Sequence, residues 1–262
     1  MYNRKSCFLA LPTIIMMPII IGYFQSFESI DNGIQLYMVA GRSSSIRESV
    51  IIRSSNSRRR RRPNIGQILS NNRNHRLWPN GIIPYQISKS LQRHRSTIIH
   101  AMRKIEQSTC ISFQQRQLVH RDYLHLTNGD GCHSIVGRLG GRQTVSLGNG
   151  CHDLGSVIHE LCHAIGLYHE HMRYDRDHYL QIHWSNIQPE MMEQFVKIPI
   201  SEYNPANHFD YNSIMIYGSK AFSKNGGPTM IPRDRRIKLR ESYFKRSLSQ
   251  ADITNINALY EC

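Results

Sequence analysis

Acidic residues are scarce in this sequence: 19 Asp and Glu stand against 33 Lys and Arg over 262 residues, a formal charge of +14. No internal repeat is visible, so a solenoid or propeller array is excluded. With 17 Gly and 10 Pro the chain is too poor in both for a collagen-like or low-complexity protein. Charged residues make up only 20% against 40% hydrophobic, which excludes a coiled coil or a chain disordered throughout. What remains is one ordinary domain with additions. A strong positive balance by itself suggests a polyanionic partner, so its position along the chain matters. Residues 1–76 hold twelve basic and three acidic residues, a net +9, and residues 77–262 carry the remaining +5.

The first segment reads as an export signal. Arg4 and Lys5 precede an uncharged, mostly apolar run from Cys7 to Phe24, the order of a secretory signal peptide. Residues 1–26 are therefore expected to be a cleaved signal, with a retained anchor through residues 7–24 as the alternative, and Pro12 and Pro18 weaken a continuous spanning helix. Either way the remainder enters an oxidising, extracellular compartment. Residues 27–73 are rich in Ser, Arg and Asn and contain five consecutive arginines, Arg58 to Arg62. Behind a signal and before a folded domain, this run reads as a cut site for an activating protease in a pro-segment. No nucleic-acid partner is expected, and membrane contact only if the first segment is retained.

From residue 74 to 262 the texture is that of a folded α+β domain. Ile82 to Ile87 reads as a strand after the turn Trp78-Pro79-Asn80-Gly81. Residues 90–108 read as an amphipathic helix through Leu91, Ile98, Ile99, Met102 and Ile105. Short strands are expected at 110–114, 122–127, 134–138 and 143–147. A second helix is expected from about Asp153 to Tyr168, and a third after a capping box at Ser249-Gln250-Ala251-Asp252.

The chemistry concentrates on the second helix. His159-Glu160-Leu161-Cys162-His163 sets two imidazoles one turn apart on one face, where both can bind a single Zn²⁺ with Glu160 beside it to take a proton from water. The five residues alone also fit a pair of hydrogen-bonded core histidines. The extension favours metal. Gly166 can adopt a left-handed conformation, end the helix and turn the chain back so that His169 becomes a third ligand. Three neutral imidazoles leave a coordination position open, the requirement for a catalytic zinc. His152, His171 and His183 lie nearby without the spacing of ligands.

The run His159-Glu160-x-x-His163-x-x-Gly166-x-x-His169-Glu170-x-x-Arg173-x-Asp175-Arg176 resembles the long signature of the astacin family of zinc metallopeptidases, within the metzincin clan. Ser213-Ile214-Met215-Ile216-Tyr217 resembles the family's Met-turn, Trp78 to Tyr85 its mature N-terminal strand, and Gly140-Gly141-Arg142-Gln143 with Ser146-Leu147 its substrate-side edge strand. The resemblance implies a zincin-like fold. Its N-terminal subdomain would hold a twisted mixed sheet and two long helices, and its C-terminal subdomain would be mostly irregular with a terminal helix. It also implies one Zn²⁺ on His159, His163 and His169, Glu160 as the catalytic acid–base, and Tyr217 as a tyrosine that leaves the metal when substrate binds. Met215 would form an apolar floor under the metal, and Glu170 would meet the N-terminus created by activation, unless it is merely a surface ion pair with Arg173. The activity implied is that of a secreted zinc endopeptidase made as a zymogen and acting on proteins or peptides.

Sequence alone leaves the cysteine pairing open. The resemblance implies Cys110–Cys262 and Cys132–Cys151, with Cys7 lost with the signal and Cys162 a buried free thiol facing away from the metal. Two positions depart from the family: Ile216 stands where its Met-turns usually carry His, and Arg42 falls where its pro-segments supply an aspartate to the zinc. Arg233, Arg235 and Arg236 hint at acidic substrates, although such charges are more often simply solvated.

Overall fold

A computed structural model describes residues 76–262 and, of those before them, residues 37–40. The expected signal, Cys7, Arg42, the Arg58–Arg62 run and nearly all of the expected pro-segment lie outside the described residues.

Six short strands form one mixed sheet. Its strands are β1 (Tyr37–Ala40), β2 (Ile82–Ile87), β3 (Ser112–Gln115), β4 (Tyr123–Thr127), β5 (Cys132–Ile135) and β6 (Arg142–Leu147). The order across the sheet is β1-β5-β6-β4-β2-β3. The pairs β2–β3, β2–β4 and β4–β6 are parallel, whereas β5 runs antiparallel to β6 and β1 antiparallel to β5. Strand β6 therefore has partners on both sides, and the segment Gly140–Leu147 is not an edge as the resemblance implied. The outer strand of residues 76–262 on that side is β5, and Tyr37 to Ala40 pair along it, Tyr37 opposite Ile135 and Ala40 opposite Cys132.

Two helices cover the sheet and share its core. The expected helix over 90–108 divides: Lys89–His94 form a 3₁₀ turn opened by Ser88, and the α-helix α1 spans Arg95–Glu106. Ile98, Ala101, Met102 and Ile105, at helical spacing, form its buried stripe. Helix α2 (Leu154–Ile165) starts where Asp153 accepts hydrogen bonds from the Ser156 amide at 3.0 Å and its hydroxyl at 2.9 Å. Every residue from Gly155 to Ile165 is buried, because α1 packs on one side and the C-terminal half of the chain on the other. Gly155 sits so close to the turn Ser242–Phe244 that a Cβ there would fall 2.0 Å from the Ser242 carbonyl oxygen, so only glycine fits.

The second half is largely irregular, with 3₁₀ turns, a small antiparallel pair of β7 (Leu180–Ile182) and β8 (Met230–Pro232), and the terminal helix α3 (Gln250–Tyr260). It carries a separate apolar cluster that includes Phe195, Phe209, Tyr217 and Phe222. The expected capping box is present, with Ser249 and Asp252 exchanging hydrogen bonds. Both disulfides form as the resemblance implied, Cys110–Cys262 and Cys132–Cys151, and Cys162 is a buried free thiol. Among the described residues no helix is long and apolar enough to cross a membrane.

Candidate metal centre

Helix α2 sets His159 and His163 one turn apart, and its C-terminus decides where the third imidazole goes. Gly166 adopts φ +133°, a conformation L side chains rarely take, and its amide and that of Leu167 both close on the Cys162 carbonyl. The chain thus turns sharply enough to return His169 to the helix. The three Nε2 atoms lie 3.1 Å from one another in every pairing, and all three rings are buried. This is close to the spacing of three nitrogens held about 2.0–2.1 Å from one tetrahedral centre.

The tautomers show why this triangle fits a cation. His159 Nδ1 is 2.8 Å from the Ile214 carbonyl oxygen and His163 Nδ1 is 2.7 Å from that of Leu167. A carbonyl only accepts, so both Nδ1 atoms carry the proton and both Nε2 atoms present bare lone pairs. Two lone pairs facing each other at 3.1 Å repel unless a cation lies between them, so these short contacts are a ligand set and not hydrogen bonds. Burial also keeps the rings neutral: desolvation pulls His159 down to about 4 and holds His163 and His169 well below the usual imidazole value. Neutral imidazole is the form that binds Zn²⁺. Among the described residues these three histidines form the cluster able to hold a metal ion.

Glu160 follows His159 on the same helix and is fully buried. Tyr217 is buried too, with its ring 4.2 Å from that of His169. The loop Ser213–Gly218 that carries Tyr217 meets the same helix through its Ile214 carbonyl on His159. Met215 is buried in the main core, and its carbonyl accepts from the Glu170 amide at 3.0 Å. Tyr217, some fifty residues beyond the helix, is thus brought to His169, and the Met215 carbonyl to the amide of Glu170 that follows it.

Glu170 is 3% exposed, so its ion pair with Arg173 at 3.2 Å is a buried one and not a surface pair. The same carboxylate oxygen accepts from the Asp210 amide at 2.8 Å. Burial raises its pKa to about 7 against the opposing pull of Arg173. His171 is fully buried, its ring 5.2 Å from His169 and 4.1 Å from Tyr217, with Nε2 on the Gln194 carbonyl at 2.9 Å. His152 instead stacks on His94 at 3.6 Å, and His183 is half-buried.

Two supports were not legible in the sequence. Asp252, read only as a helix cap, also accepts from the Ser213 hydroxyl at 2.5 Å and the Ile214 amide at 2.8 Å. It thereby holds the carbonyl that orients His159. Lys245 Nζ donates to the Ser213 carbonyl from the other side. The acidic residue of a capping box was the one available signal, and it pointed only to its own helix.

The model of the Astacin family of peptidases matches residues 70–261. The chain is 42% identical over 189 residues to the zinc metalloproteinase nas-7 of Caenorhabditis elegans, covering 71% of this chain and 49% of that one. It is 43% identical over 190 residues to the astacin-like metalloprotease toxin 1 of Loxosceles intermedia, covering 71% and 72%. The chain spans about half the length of the first of these relatives. Among solved structures it resembles the high choriolytic enzyme 1 of the medaka Oryzias latipes, a hatching enzyme zinc-protease. That match has a TM-score of 0.65 and 38% identity, over 71% of this chain and 93% of that one.

Proposed function

This chain belongs to the astacin family of peptidases, and from that premise we propose that it is a secreted zinc metalloendopeptidase made as a zymogen. One observation supports the reading above the others: three neutral imidazoles meet at 3.1 Å, those of His159 and His163 with their lone pairs turned inward, and Glu160 lies on the helix that carries these two. His159, His163 and His169 would hold the zinc. When bound, zinc supplies Lewis acidity and makes water a nucleophile at neutral pH.

The chain's own residues do the remaining work. Glu160 accepts the proton of the attacking water and returns it to the leaving amine, the proton traffic a general acid–base must carry. Tyr217 donates a hydrogen bond from its hydroxyl to the developing oxyanion. The carbonyls of Ile214 and Leu167 keep the imidazoles in the tautomer and orientation needed. Met215 closes the floor beneath them.

Residues 1–26 are proposed as the signal, or as an anchor if retained, 27–73 as the pro-segment with its activating cut in the basic run, and 74–262 as the catalytic domain. The substrates are proteins or peptides. Glu170 would receive the new N-terminus after cleavage. Its pKa near 7 and its place beside Arg173 support a carboxylate that gains from a second cation.

The test is to secrete the chain, sequence the N-terminus of the product and follow casein hydrolysis. A zinc chelator should abolish hydrolysis and added Zn²⁺ restore it. Glu160→Gln should retain stoichiometric zinc while activity falls about 10²–10⁴-fold. Equal activity of the variant and the parent would overturn the assignment.

A further inference from the structure

The charge left on the folded domain is concentrated in one stretch. Residues 233–246 hold seven Lys and Arg against two Asp and Glu, and outside them residues 77–262 contain fourteen basic and fourteen acidic residues. The whole +5 of residues 77–262 therefore sits on fourteen consecutive positions. The structure divides this stretch in two. Arg236 is paired with Asp234 at 2.7 Å and Arg233 Nε donates to the Asp177 carbonyl at 2.6 Å, so the front of the stretch is tied down. Lys238, Arg240, Lys245 and Arg246 instead line a single cavity of about 240 Å³, with no acidic side chain among its lining residues. Ser247 and Ser249 add hydroxyls to the same wall. Lys238, Arg240 and Arg246 are exposed, and none of the four cations has an ion pair among the described residues.

The cavity does not stand alone. Arg246 also lines an adjoining cavity of about 440 Å³ together with Ser96, Thr97, His100, His152 and the acidic Asp153. The two share Arg246 and so follow one strip, which is lined by none of the residues of the histidine cluster. An anionic group would meet all four cations at the first cavity, each able to donate hydrogen bonds, while the second cavity offers hydroxyls and imidazoles beside Arg246 for the uncharged parts of the same ligand.

We propose that this strip is a binding site for a sulfated polysaccharide, distinct from the site of peptide hydrolysis. Two disulfides place the domain in an oxidising compartment, where nucleic acid is not the available polyanion. Four cations around a small cavity suit a sulfate group and part of the sugar ring that bears it. Binding rests on charge neutralisation and counterion release, so it weakens steeply with salt.

The probe is a heparin decasaccharide, with its fully desulfated form as the comparison. The host is the secreted protein after activation, with the segment that carries Arg58 to Arg62 removed and the new N-terminus sequenced, so that the other basic run contributes nothing. This host should bind the sulfated probe and not the desulfated one. On the same host, Lys238→Gln, Arg240→Gln and Arg246→Gln together should weaken binding at least about tenfold at about 0.1 M salt. They should also lower the slope of log K against log salt by about two to three, close to one per lost contact. Casein hydrolysis should be unchanged, which shows that the fold and the histidine cluster survive. A charge-matched control, Arg103→Gln, Arg121→Gln and Lys224→Gln, should retain most of the affinity. The proposal is overturned if the host fails to bind, if desulfation has no effect, or if the control loses as much affinity as the cavity variant.

Discussion

Tyr217 is held among aromatic rings: its own lies 4.2 Å from His169 and 4.1 Å from His171, tilted to both, and 5.6 Å from Phe222, edge-on. Removing only the hydroxyl should therefore leave the packing intact. Tyr217→Phe is expected to lower kcat about 10²-fold with little change in KM, the signature of a donor used only in the transition state. An equal rise in KM with kcat unchanged would contradict that role. Lys245 is the other residue whose placement has a measurable consequence. Burial lowers its pKa from 10.5 to about 8. Below pH 8 it is charged in both folded and unfolded chains, and the folded state bears the full cost of the buried charge. Between pH 8 and 10.5 the folded chain gives up the proton while the unfolded chain keeps it, so stability rises through that window by up to about 3 kcal/mol. Lys245→Met should remove this rise. Denaturant unfolding of both proteins at about pH 7 and about pH 10 checks it, and a stability difference identical at both pH values would refute it.

Helix α3 shows how one element serves two others. Its capping box, Ser249 with Asp252, secures its own first turn, yet Asp252 also fixes Ser213 and Ile214 in the loop that orients His159. The two capping residues should separate experimentally. Ser249→Ala is expected to cost about 1 kcal/mol of stability and leave zinc affinity and peptidase activity unchanged. Asp252→Ala removes three further hydrogen bonds, so it should cost more and also weaken zinc binding by about 10–100-fold, the effect of losing an outer support of a metal ligand. Equal zinc affinity in the two variants, measured by competition with a chelating dye, would show that the loop does not depend on this helix.

For the molecule as a whole, the two disulfides close loops of very different length. Cys132–Cys151 spans 19 residues and ties β5 to the segment before α2, whereas Cys110–Cys262 spans 152 and encloses nearly the whole second half. On chain entropy alone the longer bridge contributes about 5 kcal/mol and the shorter about 3. Paired serine replacements at Cys110 and Cys262 should therefore lower Tm more than those at Cys132 and Cys151, by thermal unfolding in matched buffer. The reverse order would place the stabilising effect of the short bridge in the folded state, where it holds the sheet against the approach to the zinc helix.

The sequence by itself determined what is local. The i, i+4 spacing of His159 and His163, the glycine that ends their helix and the return of His169 lie within eleven residues, and their geometry follows from helix periodicity and one positive φ. The helices of the first half and the final capping box were legible for the same reason, although the 3₁₀ turn before α1 was not. The approach of Tyr217 to His169 and the disulfide pairing were legible only through resemblance to a family, because no local rule brings Tyr217 to His169 or Cys262 to Cys110. Tertiary structure alone decided that β6 is interior, with β5 beyond it. It also decided that Glu170 pairs with Arg173 in a buried site, that Asp252 supports the zinc ligands across 38 residues, and that cations from two parts of a basic stretch line one cavity. Each of these depends on which distant segments share a surface, and that is set by burial and packing of the whole chain, not by the spacing of neighbours along it.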